Sequence, residues 1–244
     1  MKKERADILL VKKRLAESRE EAKKIILAGK LRIGKDHLVK KTSELLDPDL
    51  ELTVELKKEF VSRGAYKLLP AITEFPPLKI PFIAADIGAS TGGFTDVLLK
   101  KGAQRIYAVD VGTSQLHHSL RTRPEVISIE KTNARYLSKN EIPEKIDVLT
   151  IDVSFISVKK ILPALSPLLA DTAMIYILLK PQFEAKRNEI KKGGVVKDIN
   201  VIKRCCEEIA IFAKTEFNWK LLKIIPSPVT GPKGNQEQVL VMKK

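Results

Sequence analysis

Residues 82–110, FIAADIGASTGGFTDVLLKKGAQRIYAVD, decide the fold. Phe82, Ile83, Ala84 and Ala85 form a short apolar run that stops at Asp86-Ile87-Gly88, where the pattern of a buried strand gives way to a tight turn of small residues. A helix is expected next. Ser90 or Thr91 can cap it, Gly92 and Gly93 let backbone approach a ligand, Phe94, Val97 and Leu98 form its apolar face, and Gly102 ends it. Residues 105–109 read as a second strand closing on Asp110. The unit is strand, glycine turn, helix, strand and acid, the first half of a nucleotide-binding α/β sheet. Asp110 is placed to take ribose hydroxyls roughly 20 residues beyond the turn.

The glycine spacing narrows the ligand. Gly88, Gly92 and Gly93 do not fit the G-x-G-x-x-G dinucleotide pattern, and no G-x-x-x-x-G-K-[ST] phosphate loop is present. Both facts argue against NAD and ATP. A turn carrying Asp86 suits a ligand with a cationic end, and S-adenosylmethionine has an amino-acid tail and a sulfonium. A purely structural glycine turn satisfies the same spacing.

The net charge of +14, from 44 Lys and Arg against 30 Asp and Glu, favours a polyanionic partner, nucleic acid or an anionic membrane. The only cysteines, Cys205 and Cys206, are chain neighbours and cannot frame a disulfide scaffold, so a reducing, cytoplasmic setting fits. The apolar core of the N-terminal stretch, residues 8–11, is too short for a signal peptide, and no apolar run approaches the roughly 20 residues a bilayer span requires.

Residues 1–60 read as a separate small α+β domain. Ile8, Leu9 and Leu15 suggest a first helix; Ser18 caps a second, in which Ala22, Ile25 and Ile26 recur at helical spacing before Gly29. Short strands are expected at 31–33, 37–39 and 52–54. Basic residues including Arg14, Arg19, Lys23, Lys30, Arg32 and Lys35 crowd the first part, and acids from Glu44 to Glu55 follow. A helix pair with a basic face beside a tiny sheet suits an RNA backbone, and a solvated charged surface accounts for the same residues. Residues 61–81 read as a linker helix with a proline-rich exit, and 82–244 as a doubly wound sheet domain. In the latter, helix is expected at 115–120 and 159–169, strands at 126–129, 146–151, 174–179, 220–225 and 239–242, and a mobile basic flap at 184–197.

The run RADILLVKKRLAESREEAKKIILAGKLRI resembles the RNA-binding domain of the ribosomal protein S-four type. SRGAYKL, DIGASTGGFTDVLL, VDVG, TNAR, DVSFIS, LLKPQFE, GGVVKD and SPVTGPKGNQE, in that order, resemble the TlyA family. The resemblance implies a Rossmann-like, FtsJ-like methyltransferase sheet whose last strand runs antiparallel to the rest. It further implies S-adenosylmethionine as cofactor and ribosomal RNA within ribosomal subunits as the partner. The implied reaction is methyl transfer to a ribose 2'-hydroxyl. The family's other label, haemolysin, implies a membrane-active protein, against which the absence of a secretion signal and of an apolar span argues; a non-catalytic ribosome-assembly factor is the third reading.

Residue by residue, the resemblance makes Lys67, Asp152, Lys180 and Glu237 the catalytic tetrad. Lys180 would face the hydroxyl, Asp152 would hold Lys180 near the methyl group, and Lys67 and Glu237 would orient the ribose. A sulfonium methyl is already electrophilic, so no metal is called for and positioning carries most of the catalysis. Asp86, Gly88, Ala89, Ser90, Gly92, Gly93, Phe94, Asp110, Asn133, Ala134, Arg135 and Asp152 are expected on the cofactor. Arg5, Arg14, Ser18, Arg19, Lys23, Lys30, Arg32, Arg63, Lys186 and Arg187 are expected on RNA. One departure from the family stands out: its members commonly continue VDVG with Tyr-Gly, where this chain has Thr113-Ser114.

Overall fold

The computed structural model describes residues 3–34, 37–54, 59–231 and 233–244; Lys35, Glu55 and Pro232 of the segments read above lie outside the described residues. The chain divides into two compact units, Met1–Glu59 and Phe60–Lys244.

The small unit runs β1 (Glu4–Arg5), α1 (Ala6–Lys12), α2 (Arg19–Leu27), β2 (Leu31–Ile33), β3 (His37–Leu38), β4 (Leu45–Leu46) and β5 (Leu52–Val54). β2 pairs antiparallel with β3 and β5, and β1 pairs antiparallel with β4 as a separate ribbon. Two-residue strands carry no readable period-2 pattern, so that ribbon was not expected. Ser18 caps α2, its hydroxyl accepting the Glu21 N–H at 3.2 Å. Leu9, Leu10, Ala22, Ile26, Leu31 and Leu46 bury together as this unit's core.

The large unit continues with α3 (Ala65–Glu74), β6 (Phe82–Ile87), α4 (Gly93–Lys100), β7 (Ala103–Val109), α5 (His118–Arg121), β8 (Val126–Ile129) and β9 (Ile146–Ile151). It then runs through α6 (Leu162–Leu165), β10 (Leu169–Leu179), α7 (Pro181–Glu184), α8 (Ile199–Phe217), β11 (Lys220–Pro226) and β12 (Gln238–Lys243). The seven strands lie in the order β11-β12-β10-β9-β6-β7-β8. β8, β7, β6, β9 and β10 are mutually parallel, and β12 runs antiparallel to both of its neighbours.

Both faces of the sheet are covered, which is why its strands read as unbroken apolar runs. Met174, Tyr176 and Leu178 of β10 pack with Leu68 and Ile72 of α3 and Leu98 of α4. Ile175, Ile177 and Leu179 pack on the other face with Leu162 of α6 and Cys206 and Ile209 of α8. Each such fully buried aliphatic side chain contributes about 1.5–3 kcal/mol. The segment expected as a linker therefore belongs to the sheet unit: α3 starts at Ala65 rather than near Phe60, and its apolar stripe needs the sheet to cover it.

Two expected helices shrink. The one at 115–120 is reduced to the four residues of α5, and that at 159–169 breaks into α6 between 3-10 turns at Val158–Lys160 and Ser166–Leu168, where Pro163 and Pro167 each remove a backbone donor. Among the described residues, no helix is long and apolar enough to cross a membrane.

Candidate active site

The sequence leaves β6, turns to β7 on one side and later returns through β9 on the other, so the strand order reverses between β6 and β9. Open α/β sheets bind ligands at the carboxyl ends of the strands at such a point. The turn after β6 and the first residues after β9 meet there: the Asp152 N–H donates to the Ile87 carbonyl at 2.8 Å. A Cβ on Gly88 would stand 2.4 Å from the Asp152 carbonyl oxygen, so this glycine is required by contact between two chain segments.

Three expectations for the turn are corrected. Neither Ser90 nor Thr91 caps α4; the cap position is Gly92, at φ 93° and with no side-chain bond. Gly92 is not on the cavity wall, for a Cβ there would meet Leu120 at 2.3 Å, and its role is to seat α4 beside α5. Asp86 does not reach the cavity either. It points from β6 toward α4, fully buried, and accepts hydrogen bonds from Thr95 at 2.7 Å and Thr150 at 2.9 Å. Burial raises its carboxyl to about 6, the hydroxyls partly offset this, and the nearby Asp152 charge adds to the rise.

Gly88, Ala89, Ser90, Gly93, Phe94 and Asp152 line a cavity of about 630 Å³, closed on its other sides by Arg63, Lys67 and the loop carrying Val229, Thr230 and Gly231. Lys67, on the first turn of α3, pairs with Glu237 at 2.6 Å, although 170 positions separate them. Glu237 immediately precedes β12 and is fully buried. Its second oxygen, Oε1, has no hydrogen-bond partner among the described residues and lies beside Gly231 on the cavity wall. Lys180, at the end of β10, pairs with Asp152 at 2.5 Å and donates to the Ser154 hydroxyl at 2.9 Å. The four residues thus form two ion pairs, with Lys67 and Asp152 the members on a shared wall.

A second lobe of about 340 Å³ shares Gly88, Ser90 and Asp152 with the first and adds Asp110, Asn133, Ala134 and Phe155. Asp110 is held in place by two backbone N–H groups, accepting from Ser90 and Gly112 at 2.8 Å each. Asn133 caps a 3-10 turn, Ala134–Tyr136, by accepting the Arg135 N–H; Arg135 itself is exposed and not on the lobe wall. Ser114 adopts φ 53°, a conformation that favours glycine, and its N–H bonds Glu130 at 2.9 Å. The donor set fits S-adenosylmethionine: a fixed carboxylate for ribose hydroxyls in one lobe, and small residues leading to carboxylate and lysine in the other.

Phe155 was not singled out from the sequence. It is 91% exposed at φ 64° on the wall of the second lobe, with its ring 5.1 Å from that of Phe183. An apolar residue in DVSFIS reads as core, and only exposure reveals it as a surface platform.

The basic residues differ in how far they are committed. Arg63, Lys186 and Arg187 are exposed, and Arg63 lies on the cavity wall. The segment after α7 is tied down rather than a free flap. Glu189 accepts the Lys186 N–H and both ends of the Arg204 guanidinium, and the fully buried Asn235 bonds Gly194 and Val196 at 2.9 Å each. In the small unit, Arg5 and Arg19 both pair with the buried Asp7, and Lys23 pairs with Glu20. The Ser18 hydroxyl serves as a helix cap. Arg14 is exposed, and Lys30 and Arg32 are half-buried.

The model of the FtsJ-like methyltransferase family matches residues 60–244. YqxC of Bacillus subtilis, provisionally named an rRNA methyltransferase, is 44% identical over 242 residues, 98% of this chain and 85% of its own. The 16S/23S rRNA (cytidine-2'-O)-methyltransferase TlyA of Mycobacterium tuberculosis is 40% identical over 237 residues, 97% of this chain and 88% of its own. Among solved structures, a protein of Streptococcus thermophilus provisionally named a hemolysin superposes with a TM-score of 0.74 at 39% identity, covering 100% of this chain and 89% of that one.

Proposed function

Because the chain belongs to the FtsJ-like methyltransferase family and, across nearly its whole length, to the TlyA proteins, we propose that it is an S-adenosylmethionine-dependent methyltransferase acting on a ribose 2'-hydroxyl of ribosomal RNA in ribosomal subunits. The observation that carries this reading is the meeting, at the strand-order reversal, of two lysine–acid pairs, one member of each, Lys67 and Asp152, standing on the wall of one cavity.

A ribose hydroxyl is a weak nucleophile and must be aligned while its proton leaves. Bound S-adenosylmethionine supplies the electrophilic methyl group. Asp110 takes the cofactor's ribose hydroxyls, and the Gly88–Phe94 turn faces its methionine end. Lys180 meets the substrate hydroxyl and takes its proton or stabilises the oxyanion, held in place by Asp152 and Ser154. Lys67 orients the substrate sugar. Glu237 holds the Lys67 ammonium in place for that role. Phe155 gives the base of that nucleotide a face to stack on. Arg63, Lys186 and Arg187 contact phosphates, and the small unit adds an RNA grip through Arg14, Lys23 and Lys30.

The experiment is methyl transfer from tritiated S-adenosylmethionine to ribosomal subunits lacking the modification, followed by mapping of alkali-resistant linkages. Incorporation at a ribose is the expected result. No incorporation, or label confined to a base, would sink the reading. Asp110→Ala is expected to weaken S-adenosylmethionine binding about 10-fold or more in calorimetry, the loss of charge-assisted hydrogen bonds.

A further inference from the structure

We propose that Glu184 is a positioning residue: by holding the loop after β9 against the loop after β10, it sets where Asp152, Lys180 and Phe155 stand relative to one another. The inference rests on the methyltransferase reading and deepens it.

The two loops are joined by rungs that step outward in register. Asp152 and Ser154 meet Lys180, Phe155 meets Phe183, and Ser157 and Val158 meet Glu184. The last rung is the tightest in hydrogen-bond terms. Glu184 Oε2 accepts the Ser157 hydroxyl and Oε1 accepts the Val158 N–H, both at 2.7 Å. Val158 opens a 3-10 turn, so its N–H has no partner within that turn, and Ser157 does not cap it. Glu184 supplies from another loop the cap the local sequence lacks.

Phe155 explains why the loop needs such an anchor. At 91% exposure, burial does not hold it, and at φ 64° its backbone is strained. A residue in that region costs about 1–3 kcal/mol and persists only where its surroundings over-determine it. Phe155 is bracketed by Lys180 binding Ser154 on one side and Glu184 binding Ser157 and Val158 on the other. Among the described residues Glu184 has no further hydrogen-bond partner: its neighbour Lys159 donates to Glu208 instead. Burial also raises the Glu184 carboxyl above its usual range, consistent with a role set by acceptor geometry rather than by charge. Glutamine preserves that geometry, since its oxygen can accept Val158 N–H and its amide can donate to Ser157 Oγ.

The test measures kcat, KM for ribosomal subunits and S-adenosylmethionine affinity for Glu184→Ala, Glu184→Gln, Ser157→Ala and the double variant Glu184→Ala/Phe155→Ala. Glu184→Ala is expected to lower kcat about 10–100-fold, the effect of a reacting group displaced by about 1 Å. Its cofactor affinity stays within about 2-fold of wild type, and Glu184→Gln restores most of the rate. Because Glu184 also sets Asp152 and Lys180, the double variant is expected to be slower than Phe155→Ala measured beside it, and equal rates would confine its effect to Phe155 and overturn the wider positioning role. Ser157→Ala, which removes one bond and leaves the fold intact, lowers kcat about 3-fold, the worth of a modest net hydrogen bond. Wild-type kcat in Glu184→Ala or Ser157→Ala overturns the proposal, as does a Gln variant as slow as Ala. Wild-type protein that fails to methylate the subunits would instead overturn the proposed function, so the two failures are distinguishable.

Discussion

Among the described residues two aspartates are fully buried, one in each unit, and their carboxyls shift in opposite directions. Asp7 of the small unit is held down to about 2, by Arg5 first and Arg19 second, against the opposing effect of burial. Asp86 of the sheet unit has, among the described residues, uncharged threonine groups for partners, and burial pushes it up to about 6. Depth alone therefore does not decide charge; the chemistry of the neighbours does. The sheet unit places Lys67 and Lys180 not on Asp86 but on Glu237 and Asp152, and of these four Lys67 and Asp152 line the cavity. In one unit ion pairing braces a core, and in the other it brings one cation and one acid to a cavity wall.

The largest effect expected from breaking this contrast is at the cavity. Lys180→Met removes the cation proposed to meet the hydroxyl and leaves Asp152 without that ion pair but partly solvated, its side chain 21% exposed. Methyl transfer is expected to fall about 10²–10⁴-fold, the range for loss of a positioned acid–base group, with cofactor affinity and melting temperature little changed. A methionine variant that transfers methyl at the wild-type rate would make this pair a brace like that of Asp7.

How much of this could be read in the sequence follows from the same contrast. Residues 82–85 and 174–179 announce buried strands, because a sheet covered on both faces leaves unbroken apolar runs. The four-residue α5 does not announce itself; Gln115 lies against Gly112 instead of entering a helix. Asp86 beside a glycine turn reads as a ligand contact, yet its place on β6 turns it toward α4 rather than to the ligand edge. Lys67 and Glu237 carry no local signal of their meeting, and family resemblance alone placed them together. Glu184 and Phe155 escaped because their roles depend on loop-to-loop register and exposure, which residue pattern does not encode.

The next effect is at Asp86. Its folded-state carboxyl is raised from 3.8 to about 6, so its contribution to stability is full below pH 4 and is lost as the pH rises through 6. Asp86→Asn stays neutral throughout and can still bond both threonine hydroxyls. Relative to wild type, it should therefore gain about 2–3 kcal/mol between pH 4 and pH 8, from the pKa difference. Urea unfolding at the two pH values checks this. A variant whose stability runs parallel to wild type over that interval would show that Asp86 is not desolvated as the geometry requires. Cofactor affinity should barely change, in contrast to Asp110→Ala, since Asp86 does not line the cavity.

The smallest effect is at Asp7, and its sign is reversed. Its folded-state carboxyl lies below the usual value, so the stabilisation is present above pH 4 and is lost as the pH falls toward 2. Asp7→Asn should cost the small unit about 1–2 kcal/mol at pH 7, a figure discounted because its arginine partners are exposed to screening solvent. The deficit should shrink as the pH falls and wild-type Asp7 itself becomes neutral. Hydrogen exchange of the α1 and α2 amides at pH 7, before and after addition of 0.5 M salt, reads the effect locally, at a salt level where the Debye length is only about 4–5 Å. Salt should narrow the gap between variant and wild type. Protection that is lost equally at both ionic strengths would place the cost in packing, and the two aspartates would then differ in surroundings but not in the kind of force that holds them.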